Sequence, residues 1–171
     1  MRLGGGRPLS AFAVLALTAT LLTAAPAGPG ASPACPERVL TLRAEAAAAD
    51  PAVVRVSVTN RGDRTCTVAR TPTVTFAALD GSAQPVPEGA TGRHRLGPGG
   101  TAYATVRTVA GPDDPEARRA DALAVAADPS QWGLAFTAAE LGAGDAIRVW
   151  EPVTSWWQSS PAAADRALGL G

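Results

Sequence analysis

The sequence predicts an all-β fold, a two-sheet antiparallel β-sandwich of about seven strands carrying one disulfide. Three observations predict it. Short runs of β-branched residues alternate with polar ones at a period of two. Turn residues recur roughly every 8–12 positions between those runs. The chain also holds two cysteines, Cys35 and Cys66. Neither strand–helix alternation nor an internal repeat breaks this pattern.

Taken in order, Arg38–Arg43 sets Val39 and Thr41 on one face and Leu40 and Leu42 on the other. Ala52–Thr59 is the clearest strand, because Val54, Val56 and Val58 share a face while Arg55 and Ser57 point the opposite way. Asn60-Arg61-Gly62-Asp63-Arg64 turns the chain, with Gly62 available for a positive φ. Thr65–Val68 then carries Cys66, and Thr73–Leu79 runs to the turn signal Asp80-Gly81. Arg93–Leu96 is a weaker strand, followed by the strong turn Gly97-Pro98-Gly99-Gly100 and the well-alternating Thr101–Val109. Gly111-Pro112-Asp113-Asp114-Pro115 ends that strand, with Asp114 placed to cap a short helical turn opening on Pro115. Leu123–Ala126 and Ile147–Trp150 are the late strands. Between them Thr137-Ala138-Ala139-Glu140 has the spacing of a capping box, and Gly142 stands where one helical turn would end. Pro161–Leu170 is Ala-rich and has no clear place in the core.

The first 27 residues read as a secretory signal. Arg2 and Arg7 precede the apolar run Leu9–Leu22, and Ala25-Pro26-Ala27 fits the A-x-A cleavage pattern. As a helix, the 14-residue run spans roughly 21 Å, short of the about 30 Å of a bilayer core, so no stable membrane insertion is expected after cleavage. Ser32-Pro33-Ala34 before Cys35 does not fit a lipidation triplet. The expected organisation is a signal peptide over 1–27, a Pro/Ala-rich linker over 28–34, the β domain over 35–158 and a C-terminal tail over 159–171. The expected location is secreted, extracellular or cell-wall associated.

All 15 basic residues are Arg, balanced by 15 acidic ones, which offers no electrostatic footing for nucleic acid. The excess of Arg, Ala, Gly and Pro follows from codon bias in a GC-rich genome. In an oxidising compartment a lone cysteine pair bridges. Joining Cys35 to Cys66 closes a loop of 31 residues and stabilises the fold by about 3.5 kcal/mol in the chain-entropy model. With His94 the only histidine, the pair lacks the further ligands a zinc site needs, and no C-x-x-C redox spacing is present.

The stretch Val56-Ser57-Val58-Thr59-Asn60-Arg61-Gly62-Asp63-Arg64-Thr65-Cys66-Thr67-Val68 resembles the core motif of a family of exported actinobacterial proteins catalogued as domain of unknown function 4232. Cys35 at the domain start, Pro72-Thr73-Val74, and Leu96-Gly97-Pro98-Gly99-Gly100-Thr101-Ala102 fit the same plan. The chain lacks the second cysteine pair that members typically carry. The resemblance, over roughly residues 35–130, implies an immunoglobulin-like sandwich at or outside the cell envelope. It brings no assigned activity and no catalytic residues.

Candidate chemistry is sparse. His94, between Arg93 and Arg95, has no nucleophile motif to serve and reads as a solvated residue. Asp113, Asp114 and Glu116 lack the spacing of a calcium loop and read as a polar turn, so no metal is expected. Arg61-Gly62-Asp63 is a chance tripeptide in a turn. All four tryptophans, 132, 150, 156 and 157, lie late in the chain. On a single strand Trp150 and Trp156 would share a face opposite Trp157, and Pro152 would make that strand an edge or a bent one. One tryptophan is expected in the core; Trp150, Trp156 and Trp157 are the candidate ligand-binding residues, with Trp156 or Trp157 as a stacking platform. The leading expectation is a non-catalytic interaction or structural module without a cofactor, whose partner is an envelope or extracellular protein or glycan. The alternative is a carbohydrate- or small-ligand-binding module.

Overall fold

The computed structural model describes residues 32–89, 91–111 and 113–170. The expected signal segment, 1–27, lies outside the described residues, as does most of the expected linker. A single 3-10 turn, Glu37–Val39, leads into β1 (Leu40–Ala47) and β2 (Asp50–Asn60). There follow β3 (Cys66–Ala69), β4 (Thr73–Phe76), β5 (Gln84–Val86), β6 (Arg93–Leu96) and β7 (Thr101–Arg107). The second half holds β8 (Arg118–Ala120), β9 (Ala122–Ala126), β10 (Leu134–Thr137), helix α1 (Ala138–Leu141), β11 (Ile147–Val149), β12 (Val153–Ser155) and helix α2 (Pro161–Ala167). The class is all-β, as predicted.

One sheet has the order β1-β2-β7-β12-β5 and another β10-β9-β4; β3 with β6 and β8 with β11 form two-stranded ribbons. Alternation places Val54, Val56 and Val58 of β2 on the inner face, where they pair across the ladder with Val106, Ala104 and Ala102 of β7. Pairing two of the three valines with alanine leaves room for the opposing layer. Val74, Phe76, Leu123, Val125, Ile147 and Val149 fill it from β4, β9 and β11, in one contiguous core. Each such burial contributes about 1.5–3 kcal/mol as an upper estimate.

Twelve strands stand among the described residues where about seven were expected. Eight of them coincide with the runs named from the sequence; the other four, β5, β8, β10 and β12, are three or four residues long. Their ladders form because distant segments offer a partner, as β5 does for β12 and β11 for β8. β12 pairs antiparallel with β7 and parallel with β5, so the five-stranded sheet is mixed rather than wholly antiparallel. It also lies inside the sheet: Pro152 marks the bend between β11 and β12, not an edge strand. Trp150 and Trp156 therefore do not share one strand, and six-residue parity does not relate them.

Local signals hold where the chemistry is local. Thr137 Oγ1 accepts from the Glu140 N–H at 3.2 Å, and the Glu140 carboxylate accepts from the Thr137 N–H at 2.8 Å, the reciprocal capping box. Gly142 closes that turn at φ 77°. Asp114, by contrast, caps a turn and not a helix, its carboxylate accepting from the Glu116 N–H at 2.9 Å. Gly62 does not hold a positive φ; a Cβ there would approach Asn60 Oδ1 tightly, at 3.1 Å. The C-terminal stretch has a place after all. Ser160 caps α2, Pro161 opens it, and Ala164 is wholly buried against the sheet.

Candidate functional site

The disulfide joins Cys35 to Cys66, with Cα atoms 4.9 Å apart and both residues buried. Around it the chain is tied tightly. The Cys35 N–H donates to Thr67 O and the Thr67 N–H to Pro33 O, each at 2.8 Å. The Gln131 amide donates to Cys35 O at 2.9 Å, which carries the same framework into the loop after β9.

That loop, Asp128–Gly133, holds an exposed residue that sequence reasoning passed over. Asp128 Oδ1 accepts from the Ser130 hydroxyl and N–H, while Oδ2 takes the Arg93 guanidinium at 2.8 Å. Burial alone would raise the Asp128 pKa, but the Ser130 and Arg93 hydrogen bonds outweigh it and hold the carboxyl below its usual range. Glu37 reaches across to accept from the Gly133 N–H at 2.7 Å and the Trp132 N–H at 3.4 Å. Gly133 sits at φ 74°, where a Cβ would stand 2.3 Å from Val125 O. Only glycine fits there. At the tip of this pinned loop the Trp132 side chain is exposed over 96% of its surface. With Leu134, 48% exposed on β10, it is one of two large apolar residues exposed among the described residues. The available sequence signal was Ser130-Gln131-Trp132-Gly133, a tryptophan inside a turn instead of a strand.

The three predicted tryptophans separate. Trp157 is 2% exposed and packs in the core, so it is no stacking platform. Trp156 has the Arg70 guanidinium 4.7 Å over its ring, and its indole N–H donates to Pro87 O at 2.9 Å. That ring face is taken by its own chain. Trp150, half-buried, lines a groove of about 500 Å³ with Phe76, Asp80, Gln84, Arg118 and Glu151. Its backbone N–H donates to Thr108 O at 2.9 Å, and Glu151 beside it holds a left-handed φ of 44°.

A larger groove, about 770 Å³, runs between α2 and the outer face of β1, β2 and β7. Its strongest charges satisfy each other: the Arg55 guanidinium donates to both Asp165 oxygens, and the Thr105 hydroxyl donates to Asp165 Oδ1 at 2.7 Å. Burial would raise the Asp165 pKa, yet hydrogen bonds from Arg55 and Thr105 and the Arg55 charge keep it low.

His94 lies half-buried on β6, its pKa lowered by burial and by the nearby Arg70 cation. A positive neighbour does not orient or support a general base as a carboxylate would. Asp113, Asp114 and Glu116 form no metal-holding cluster, and none occurs among the described residues. No described helix is long and apolar enough to cross a membrane.

The chain has no match among curated proteins and none among solved structures. Residues 35–157, from the first cysteine through the buried Trp157, match the family described as Domain of unknown function (DUF4232), and the chain belongs to that family.

Proposed function

We propose that this chain is an exported, non-catalytic, immunoglobulin-like module that works outside the cell membrane and engages a protein partner through Trp132. The exposure of that indole, on a loop held by Asp128, Glu37 and Gly133, carries the reading. A tryptophan side chain presents about 200 Å² of surface, and burying it in a partner's pocket stabilises a complex by about 5 kcal/mol at about 25 cal/mol per Å². Because the loop backbone is already ordered, little conformational entropy is lost on docking. Leu134 extends the apolar patch along β10, the edge strand of its sheet. A rigid aromatic anchor beside an unpaired edge is a common hot-spot arrangement.

Export is supported by the formed disulfide, which belongs to oxidising compartments. The non-catalytic reading is supported by the way polar groups are spent, Asp128 on Arg93 and Ser130, Asp165 on Arg55 and Thr105.

The test is co-purification from the native envelope with the wild-type chain and with Trp132→Ala. The substitution leaves thermal unfolding unchanged, because the side chain is exposed, and loses the partner that the wild type retains. Equal recovery by both proteins overturns the reading.

A further inference from the structure

We infer that the groove beside Trp150 is a second binding site, and that its ligand is a neutral oligosaccharide. This site is separate from the Trp132 loop and does not depend on the partner proposed for it. The groove opens where the chain leaves β11 and bends into β12, opposite the loop that follows β4. Its volume of about 500 Å³ lies within the about 300–1,000 Å³ typical of small-molecule sites. Buried Phe76 and half-buried Trp150 are its two aromatic lining residues.

The polar lining decides the ligand's charge. Asp80 and Glu151 are carboxylates, which disfavour an anion. Arg118 is a cation on the same groove, which disfavours a positive ligand. Gln84 adds an amide that both donates and accepts. Acceptors, donors and an aromatic face together suit a molecule whose hydroxyls donate and accept, and whose ring C–H face packs on an indole. A neutral saccharide is such a molecule.

Backbone strain marks the same place. Among the described residues, the two non-glycine residues with left-handed φ are Ala78, at 60°, and Glu151, at 44°. Glu151 lines the groove, and Ala78 leads directly into Leu79 and Asp80, which also line it. Glycine would hold both turns at less cost. Keeping a carboxylate at the strained position 151 makes sense where that carboxylate has work to do.

The experiment follows the indole ¹H–¹⁵N resonances of the purified, disulfide-bonded protein during titration with cellotriose, maltotriose and triacetylchitotriose. At least one of them shifts the Trp150 resonance, saturating at about millimolar concentration. Trp150→Ala weakens that binding about tenfold or more. Glu151→Gly guards against a variant that fails to fold: it relieves the strained φ, keeps or raises Tm, and still weakens binding about fivefold. Trp132→Ala binds the sugar as the wild type does, so failure of the Trp132 reading is distinguishable. The inference is overturned if none of the three sugars shifts Trp150, or if the affinity read from the Gln84 side-chain amide resonances is unchanged in both the Trp150 and Glu151 variants.

Discussion

At Asn60 one wholly buried amide holds two turns together. Its Nδ2 donates to Arg64 O at 2.8 Å and toward Leu96 O and Gly97 O, each at 3.2 Å, while Oδ1 accepts from the Gly62 N–H at 2.9 Å. Its backbone adds bonds to Gly99 and Gly100. The Asn-x-Gly and Leu-x-Pro-Gly stretches behind the family resemblance are thus a single hydrogen-bonded unit, joining the loop into β3 to the turn into β7. Replacing Asn60 with Asp sets a buried carboxylate against three carbonyl oxygens, and the cost is about 3 kcal/mol or more. Thermal unfolding followed by circular dichroism should show a drop of about 8 °C. A Tm within 2 °C of the wild type would refute this account of the motif. From sequence, Asn60 read only as a turn former. Its distant partners, Leu96 and Gly97, lie 36 and 37 positions away, beyond the reach of any local pattern.

At the scale of elements, α2 shows how a weak helix is kept. Seven residues are too few to be stable alone in water. Ala164 packs against the sheet, and Asp165 locks to Arg55 and Thr105 from the outer face of β2 and β7. The Arg55 side chain is 41% exposed, so solvent screens the pair, and Asp165→Asn should cost only about 1 kcal/mol. The effect concentrates in faster hydrogen exchange and proteolysis over 159–171, with the remaining core protected. Because the Asp165 pKa is lower in the folded chain, the unfolded chain binds this proton more tightly. Its contribution is present above the ordinary Asp value of about 3.9 and disappears as pH falls through the lower folded value. The tail of Asp165→Asn should therefore lose most of the acid sensitivity seen in the wild type. An unchanged pH profile for release of that segment would place the sensitivity elsewhere.

For the whole molecule, the disulfide is the longest-lived constraint. It closes 31 residues around β1, β2 and their connection, and ties the start of the domain to β3. Reduction, or Cys35→Ser with Cys66→Ser, should lower stability by about 3.5 kcal/mol, read as a lower denaturant midpoint with a steeper slope, because the unbridged unfolded chain is less compact. Loss of the Trp157 near-ultraviolet signal would accompany the same transition, because that ring sits in the common core. Two separated transitions would mean that the ribbon of β3 and β6 unfolds on its own.

Period-two alternation in β2 and β7, the turn residues around Gly97–Gly100, the capping box before Glu140 and a lone cysteine pair all act between neighbours or follow from simple counting. They could be read without coordinates, and they suffice for the all-β class and the bridge. Exposure is another matter. Trp157 is buried and Trp132 is not because of what packs on them from elsewhere, and Glu37 holds the Trp132 loop from 95 and 96 residues away. Strands β5, β8 and β12, the docking of α2 through a pair 110 positions apart, and the groove beside Trp150 depend equally on folding. A linear chain records which side chains are available; which of them remain at the surface is set by the long-range contacts that bury the rest.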